Sequence, residues 1–236
     1  MSQQTLMGPQ PTPERNSRLP ILIGIVGVGL VGIGVVLFYI YSALFPGNTT
    51  PYYVGLQSLE MAEGGISAII PPREVADFTL TAQTGEPYTF GDTRGKAVLM
   101  SFGYTHCPDV CPMTLLEMDR LRNQLGDDVD QVEFIFISVD GERDTPAWLN
   151  TYLNTRGIND YMVGLTGTEG EVRRVGADYG LYFKKNTTSG SQAAYLVDHT
   201  ASSYLIDPEG RLSAILAFGT HPDIITEAVY EVLAAS

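Results

Sequence analysis

An α/β domain with a mixed central sheet, preceded by one N-terminal transmembrane helix, is the fold this sequence predicts. Three observations carry that prediction. An uncharged run from Leu19 to Phe45 stands before the rest of the chain. Two short and almost wholly apolar runs, 97–102 and 132–139, are each followed by helical periodicity, the pattern of buried strands with crossover helices. A hairpin pattern and one closing helix then end the sequence.

Residues 1–18 are polar and rich in Pro, Gln and Ser, and read as a tail. The uncharged run at 19–45 spans 27 residues. As a helix it is roughly 40 Å long, enough to cross a hydrocarbon core of about 30 Å with tilt. A signal-peptide core is shorter, about 7–15 residues, and ends in a small-x-small cleavage site. Tyr41-Ser42-Ala43 puts a bulky residue where a small one is needed, so the run reads as a retained single-pass anchor. Pro20 suits its first turn. Arg15 and Arg18 precede it and no Lys or Arg follows until Arg73. The positive-inside rule therefore puts the N-terminus in the cytoplasm and the C-terminal domain on the periplasmic, extracytoplasmic face of the inner membrane. Glycines at 24, 27, 29, 32 and 34 line the anchor, but no two are four apart, so the G-x-x-x-G dimer pattern is absent. Residues 46–72, rich in Gly and Pro, read as a linker with a short helix around Leu56–Met61.

The remaining stretch, 73–236, is long enough for one core. Phe78–Leu80 and Tyr88–Phe90 read as short strands around a turn at Thr84-Gly85. Gly95 and Gly103 bracket the apolar strand at 97–102. Met113, Leu115, Leu116, Met118, Leu121 and Leu125 recur at helical spacing, and Gly126 stands where that helix stops. A second buried strand runs from Val132 to Val139. Thr145-Pro146 opens a helix holding Trp148, Leu149, Tyr152 and Leu153, and 169–179 reads as another. Runs 202–206 and 212–216 form a hairpin around Asp207-Pro208-Glu209-Gly210. A last helix covers Ile224–Leu233, with Thr220 as its expected cap. The order β-α-β, then β-β-α, with cysteines opening the first helix, is the thioredoxin arrangement.

The sequence holds two cysteines, Cys107 and Cys111, on the turn between the first buried strand and its helix. One helical turn apart, their Cα atoms would lie about 6 Å from each other, which permits a disulfide and equally lets both sulfurs face one metal ion. Helix N–H groups and the positive end of the dipole favour thiolate there. Three roles are open: a structural disulfide, a redox-active dithiol, or two soft metal ligands. Closing a loop of three intervening residues restricts the unfolded chain little, which weakens the structural role. Thiols outside a membrane are otherwise oxidised unless held reduced or metallated.

Three histidines could complete a site. His106 precedes Cys107 and reads as a turn residue that modulates the thiols. His221 stands before Pro222 at a helix start and reads as a capping or exposed residue. His199 ends the run Tyr195-Leu196-Val197-Asp198-His199, on a loop that in this arrangement faces the cysteine turn. It is either an ordinary loop histidine bonded to backbone or a third ligand, with Asp198 behind it orienting the ring or its loop. Two thiolates and one imidazole suit copper in either oxidation state, whereas zinc wants a fourth ligand.

The run Phe102-Gly103-Tyr104-Thr105-His106-Cys107-Pro108-Asp109-Val110-Cys111-Pro112 resembles the signature of the Sco/SenC family of copper chaperones. The resemblance continues through Ser138-Val139-Asp140, Glu142-Arg143-Asp144-Thr145-Pro146, Gly164-Leu165-Thr166-Gly167-Thr168, the run ending at His199, and Tyr204-Leu205-Ile206-Asp207-Pro208-Glu209-Gly210, covering about residues 74–235. A membrane anchor fits it too. Gly141 departs from it, since members usually carry proline there. The resemblance implies that Cys107, Cys111 and His199 are copper ligands and Asp198 the acid preceding the histidine. It also implies a role in building the CuA centre of cytochrome c oxidase subunit II, by delivering copper from an upstream donor or by reducing the cysteines that will hold it.

Three functions follow for test. The first is a membrane-anchored copper metallochaperone. The second is a thiol–disulfide reductase in which Cys107 attacks and Cys111 resolves. The third is a copper or redox sensor using the same site. A peroxidase reading is weaker, because the run lacks a threonine before the cysteine in peroxidatic context. The formal net charge of −13 disfavours nucleic-acid binding.

Overall fold

The computed structural model describes residues 65–187 and 195–235. The tail at 1–18, the anchor at 19–45 and the linker as far as residue 64 lie outside the described residues. Among the described residues, no helix is long and apolar enough to cross a membrane.

The elements in chain order are β1 (Ile66–Glu74), β2 (Thr79–Ala82), β3 (Pro87–Thr89), β4 (Ala97–Gly103), α1 (Val110–Leu125), β5 (Val132–Ser138), α2 (Pro146–Thr155), β6 (Met162–Thr166), α3 (Glu169–Ala177), β7 (Phe183–Asn186), β8 (Leu196–His199), β9 (Ser203–Ile206), β10 (Arg211–Leu216) and α4 (Pro222–Ala234). Eight strands form one mixed sheet in the order β1-β10-β9-β4-β5-β6-β2-β3, and β7 and β8 form a separate antiparallel pair. β4, β5 and β6 run parallel, with Ala97 opposite Val132 and Gly103 opposite Ser138, while β9 runs antiparallel to β4. This is the thioredoxin-like arrangement.

β4 is buried at every position because it lies between β9 and β5, with helices over both faces of the sheet. Its alternate side chains enter different cores, as a period of two requires. Val98, Met100 and Phe102 join Ile135, Ile137 and Tyr204 on the face covered by α3 through Val172 and Val175. Ala97 and Leu99 join Phe134, Phe136 and Leu205 beneath α1, α2 and α4, which contribute Leu115, Leu121, Leu149, Leu153 and Val229.

Four sequence readings change. The linker was expected to reach Pro72, but the sheet already begins at Ile66. β1 is an edge strand whose pairing with β10 breaks between Ala68 and Arg73, around prolines that cannot donate to a ladder. The strand β6 was not anticipated, since Gly164 interrupts its short apolar run. The stretch before His199 is strand β8 and not a loop. The cap of α4 is His221, whose Nδ1 accepts from the Asp223 amide, while the Thr220 hydroxyl donates to the carbonyls of Ala217 and Gly65.

Gly141, where the resemblance leads proline to be expected, is sterically confined. A Cβ there would stand 1.9 Å from the Gly167 carbonyl oxygen on the loop after β6. Gly141→Ala therefore forces two packed loops apart, and we expect a loss of about 1–3 kcal/mol in stability, measured by chemical denaturation.

Candidate metal centre

The cysteine turn is built at the C-terminal end of β4. The Cys107 amide donates to the Tyr104 carbonyl at 3.2 Å, and α1 then starts at Val110 with Cys111 in its first turn. Cys111 points back under the turn. A Cβ on Gly103 would lie 2.8 Å from its sulfur and 2.7 Å from the Phe136 ring, so only glycine leaves room for that thiol. Cys111 is buried, Cys107 is half-buried, and both are free thiols.

His199 comes from the other side. β7 pairs Phe183 with His199, and the Val197 amide donates to the Tyr104 hydroxyl at 3.2 Å, which ties the strand to the cysteine turn. The imidazole meets the Tyr104 ring edge-on, at 5.9 Å between centroids. Its Nδ1 is 2.9 Å from the Thr200 carbonyl oxygen, and its Nε2 is 3.4 Å from the Cys111 sulfur. So His199 is bonded to backbone through one nitrogen and presents the other to the thiols. The backbone bond at Nδ1 leaves Nε2 available on the side of the thiols.

One donor atom from each of Cys107, Cys111 and His199 lies within 4.8 Å of the other two. Ligands bound to one transition-metal ion at about 2.0–2.3 Å stand at most about 4.6 Å apart. Small side-chain adjustments therefore close the trio around one ion. Asp198 bonds across the strand pair. Its carboxylate is exposed and accepts from the Asn186 amide at 3.3 Å across the β7–β8 pair, and the ring of His199 is oriented by the Thr200 carbonyl.

The protons of the pair are unequally held. The Cys111 thiol donates to the Cys107 sulfur and holds the Cys107 pKa down at about 3, against the opposing cost of burial; His199 and the amides of Cys111 and Asp109 add to the effect. Cys111 is pushed above the ordinary thiol range, because it keeps the proton in that bond and because burial and the neighbouring thiolate both oppose a second charge. The resting pair is thus one thiolate and one thiol.

Around the trio lies a polar frame, built largely from the runs 138–140 and 142–146. Buried Asp140 pairs with Arg143 and accepts from the Tyr195 hydroxyl at 2.7 Å. The Arg143 guanidinium stacks on the Tyr195 ring at 3.7 Å and donates to the Tyr195 carbonyl. Asp144, fully buried, accepts from Thr105 and Ser138. The His106 ring stacks on Trp148, 5.9 Å between centroids, and its Nδ1 faces the Thr105 hydroxyl and not the metal trio. Carboxylates two and six residues beyond the end of the apolar strand β5, Asp140 and Asp144, were the available sequence signal.

The SCO1/SenC family matches residues 68–234 of the chain. The chain belongs to this family. Protein SCO2, mitochondrial, of Saccharomyces cerevisiae is 41% identical over 138 residues, which is 57% of this chain and 44% of the yeast protein. The chain therefore spans less than half the length of that relative. ScoI of Bradyrhizobium japonicum, solved with copper bound, is 39% identical and superposes with a TM-score of 0.59 over 67% of this chain and 99% of its own. BsSco, described as a member of the Sco family of cytochrome c oxidase assembly proteins and as containing a disulfide switch, is 26% identical, with a TM-score of 0.57 over 70% of this chain and 96% of its own.

Proposed function

We propose that this SCO1/SenC protein binds copper as cargo through Cys107, Cys111 and His199 and passes it to the CuA centre of cytochrome c oxidase subunit II. It does so from the outer face of the membrane to which residues 19–45 anchor it. The observation that carries the reading is the convergence of two sulfurs and one imidazole nitrogen from β8 and the β4–α1 turn within 4.8 Å. Thiolates and an imidazole form a donor set soft enough for Cu(I) and still acceptable to Cu(II). The copper-bound ScoI structure supports the same choice.

Each residue has a distinct part. Cys107, half-buried and already a thiolate, is the side of the site that an incoming donor or client reaches first. Cys111 lies deep and gives up its proton when the metal enters. His199 closes the set with Nε2 while Nδ1 stays on the Thr200 carbonyl. Three ligands leave an approach open, so a client thiolate can join before a resident ligand leaves.

The test is transfer. Purified protein loaded with one equivalent of Cu(I) is mixed with the metal-free CuA domain of subunit II, the two are separated, and copper is measured in each. Copper should move to the CuA domain. Retention by the donor, or failure to load one ion per chain, sinks the proposal. Above pH 7 loading should release about one proton per ion, from Cys111, so apparent affinity rises about tenfold per pH unit.

A second reading draws on the free, closely spaced thiols and on the disulfide switch described for BsSco. In it the Cys107 thiolate attacks a client disulfide and expels one client thiolate. Cys111 then resolves the mixed disulfide, leaving Cys107–Cys111 oxidised and the client reduced by two electrons. Appearance of client thiols in a copper-free mixture with an oxidised CuA domain would support it, and their absence would exclude it.

A further inference from the structure

We propose that Asp144 is the residue that positions Cys107 for metal capture, acting through Thr105; this rests on the copper reading of the site. Asp144 sits before α2, far along the chain from the cysteines, and its side chain is fully buried. It accepts three hydrogen bonds. The Thr105 amide and the Ser138 hydroxyl reach Oδ2 at 2.9 and 2.6 Å, and the Thr105 hydroxyl reaches Oδ1 at 2.6 Å. A carboxylate is the small side chain that accepts from all three, because asparagine must turn an NH2 group toward one of the donors.

Thr105 is held further still. Its hydroxyl oxygen takes the Trp148 indole N–H at 2.8 Å and lies 3.0 Å from His106 Nδ1. The residue two before Cys107 is therefore clamped by backbone and side chain to the end of β5 and the start of α2. Cys111 is placed independently, by helix α1 and the space above Gly103. His199 is placed by Thr200 and by the ring of Tyr104, the residue before Thr105. Of the three donors, Cys107 is the one that stands on a turn, and Asp144 is the anchor of that turn. Ligand-orienting partners of this kind change metal affinity by about 10–100-fold when removed.

The test uses the full chain, with Asp144→Asn, Thr105→Val and Thr105→Ser compared with the wild type after near-UV circular dichroism has established folding. Asp144→Asn and Thr105→Val should each lower copper affinity at least tenfold and shift the sulfur-to-Cu(II) charge-transfer band, which loss of stability alone leaves unmoved. Thr105→Ser, which keeps amide and hydroxyl, should retain both properties. Wild-type affinity and an unchanged band in folded Asp144→Asn and Thr105→Val overturn the proposal, as does a serine variant no better than the valine one. If Asp144→Asn does not fold, Thr105→Val decides. In the copper-free protein, Thr105→Val should also slow diamide-driven closure of the Cys107–Cys111 disulfide, and an unchanged rate counts against positioning. A wild-type protein that takes up no copper overturns the copper reading instead, and the disulfide arm then judges Asp144 and Thr105 by itself.

Discussion

Replacing His199 with alanine should lower copper affinity by far more than the about 10–100-fold that loss of a ligand-orienting partner costs, while leaving both thiols free. Nε2 of His199 is the only nitrogen in the donor trio, and it already stands 3.4 Å from the Cys111 sulfur. Without it, two thiolates remain to satisfy an ion that this site would hold with three ligands. Cys107→Ser and Cys111→Ser should fall as far or further, because a hydroxyl is a poor donor to a soft ion. Competition against a chelator of known affinity measures all three. The same variants separate the two functions. Dithiol reduction needs both sulfurs and can spare the imidazole. Full oxidase assembly in cells carrying His199→Ala, with none in either cysteine variant, would hand the protein to the reductase reading.

Alkylation of the copper-free protein by iodoacetamide should occur at Cys107, with a rate nearly independent of pH between 5 and 8. An ordinary thiol with a pKa of about 8.5 is thiolate in about three molecules in ten thousand at pH 5, and its rate climbs about tenfold per pH unit. Cys107, held at about 3, is already fully ionised. Its nucleophilicity is lower in return, because the nucleophilicity of a thiolate falls with its pKa. Cys107 should therefore hold its largest advantage over an ordinary thiol at pH 5 and lose it as pH rises toward 8. Cys111, buried and protonated, should be spared throughout. Peptide mapping after timed quenching reads both rates. A Cys107 rate that climbs tenfold per pH unit across this range would show that Cys111 does not hold its proton against the Cys107 sulfur.

The two central strands and the four helices were legible because they are long and periodic. Val132 to Val139 could only be buried, and Leu115, Leu121 and Leu125 could only share one helical face. β6 was hidden because five residues with a glycine in the middle carry too little pattern, and its strand character comes from the neighbours β5 and β2. β8 stands where the thioredoxin arrangement led a loop to be expected, and pairing with β7 makes it a strand. Thr220 looked like a cap by residue type, but its hydroxyl is taken by Gly65 and Ala217, and His221 does the capping.

The site divides along the same line. That Cys107 and Cys111 lie close was legible from their spacing of four, although Cys107 stands on the turn before α1 and only Cys111 is helical. Soft-ligand chemistry and the choice of His199 over His106 and His221 were also within reach of the sequence, because element order places the run before β9 opposite the cysteine turn. Which nitrogen of His199 faces the sulfurs, which thiol holds the proton, and which carboxylate anchors the turn were decided by the fold alone. These depend on Thr200, Tyr104, Thr105 and Asp144 meeting across separate elements. Asp198, adjacent to His199 in sequence, faces Asn186, because successive residues of a strand point to opposite sides. Asp144, 37 residues beyond Cys107, is brought beside the turn because parallel β4 and β5 end together, with Gly103 opposite Ser138.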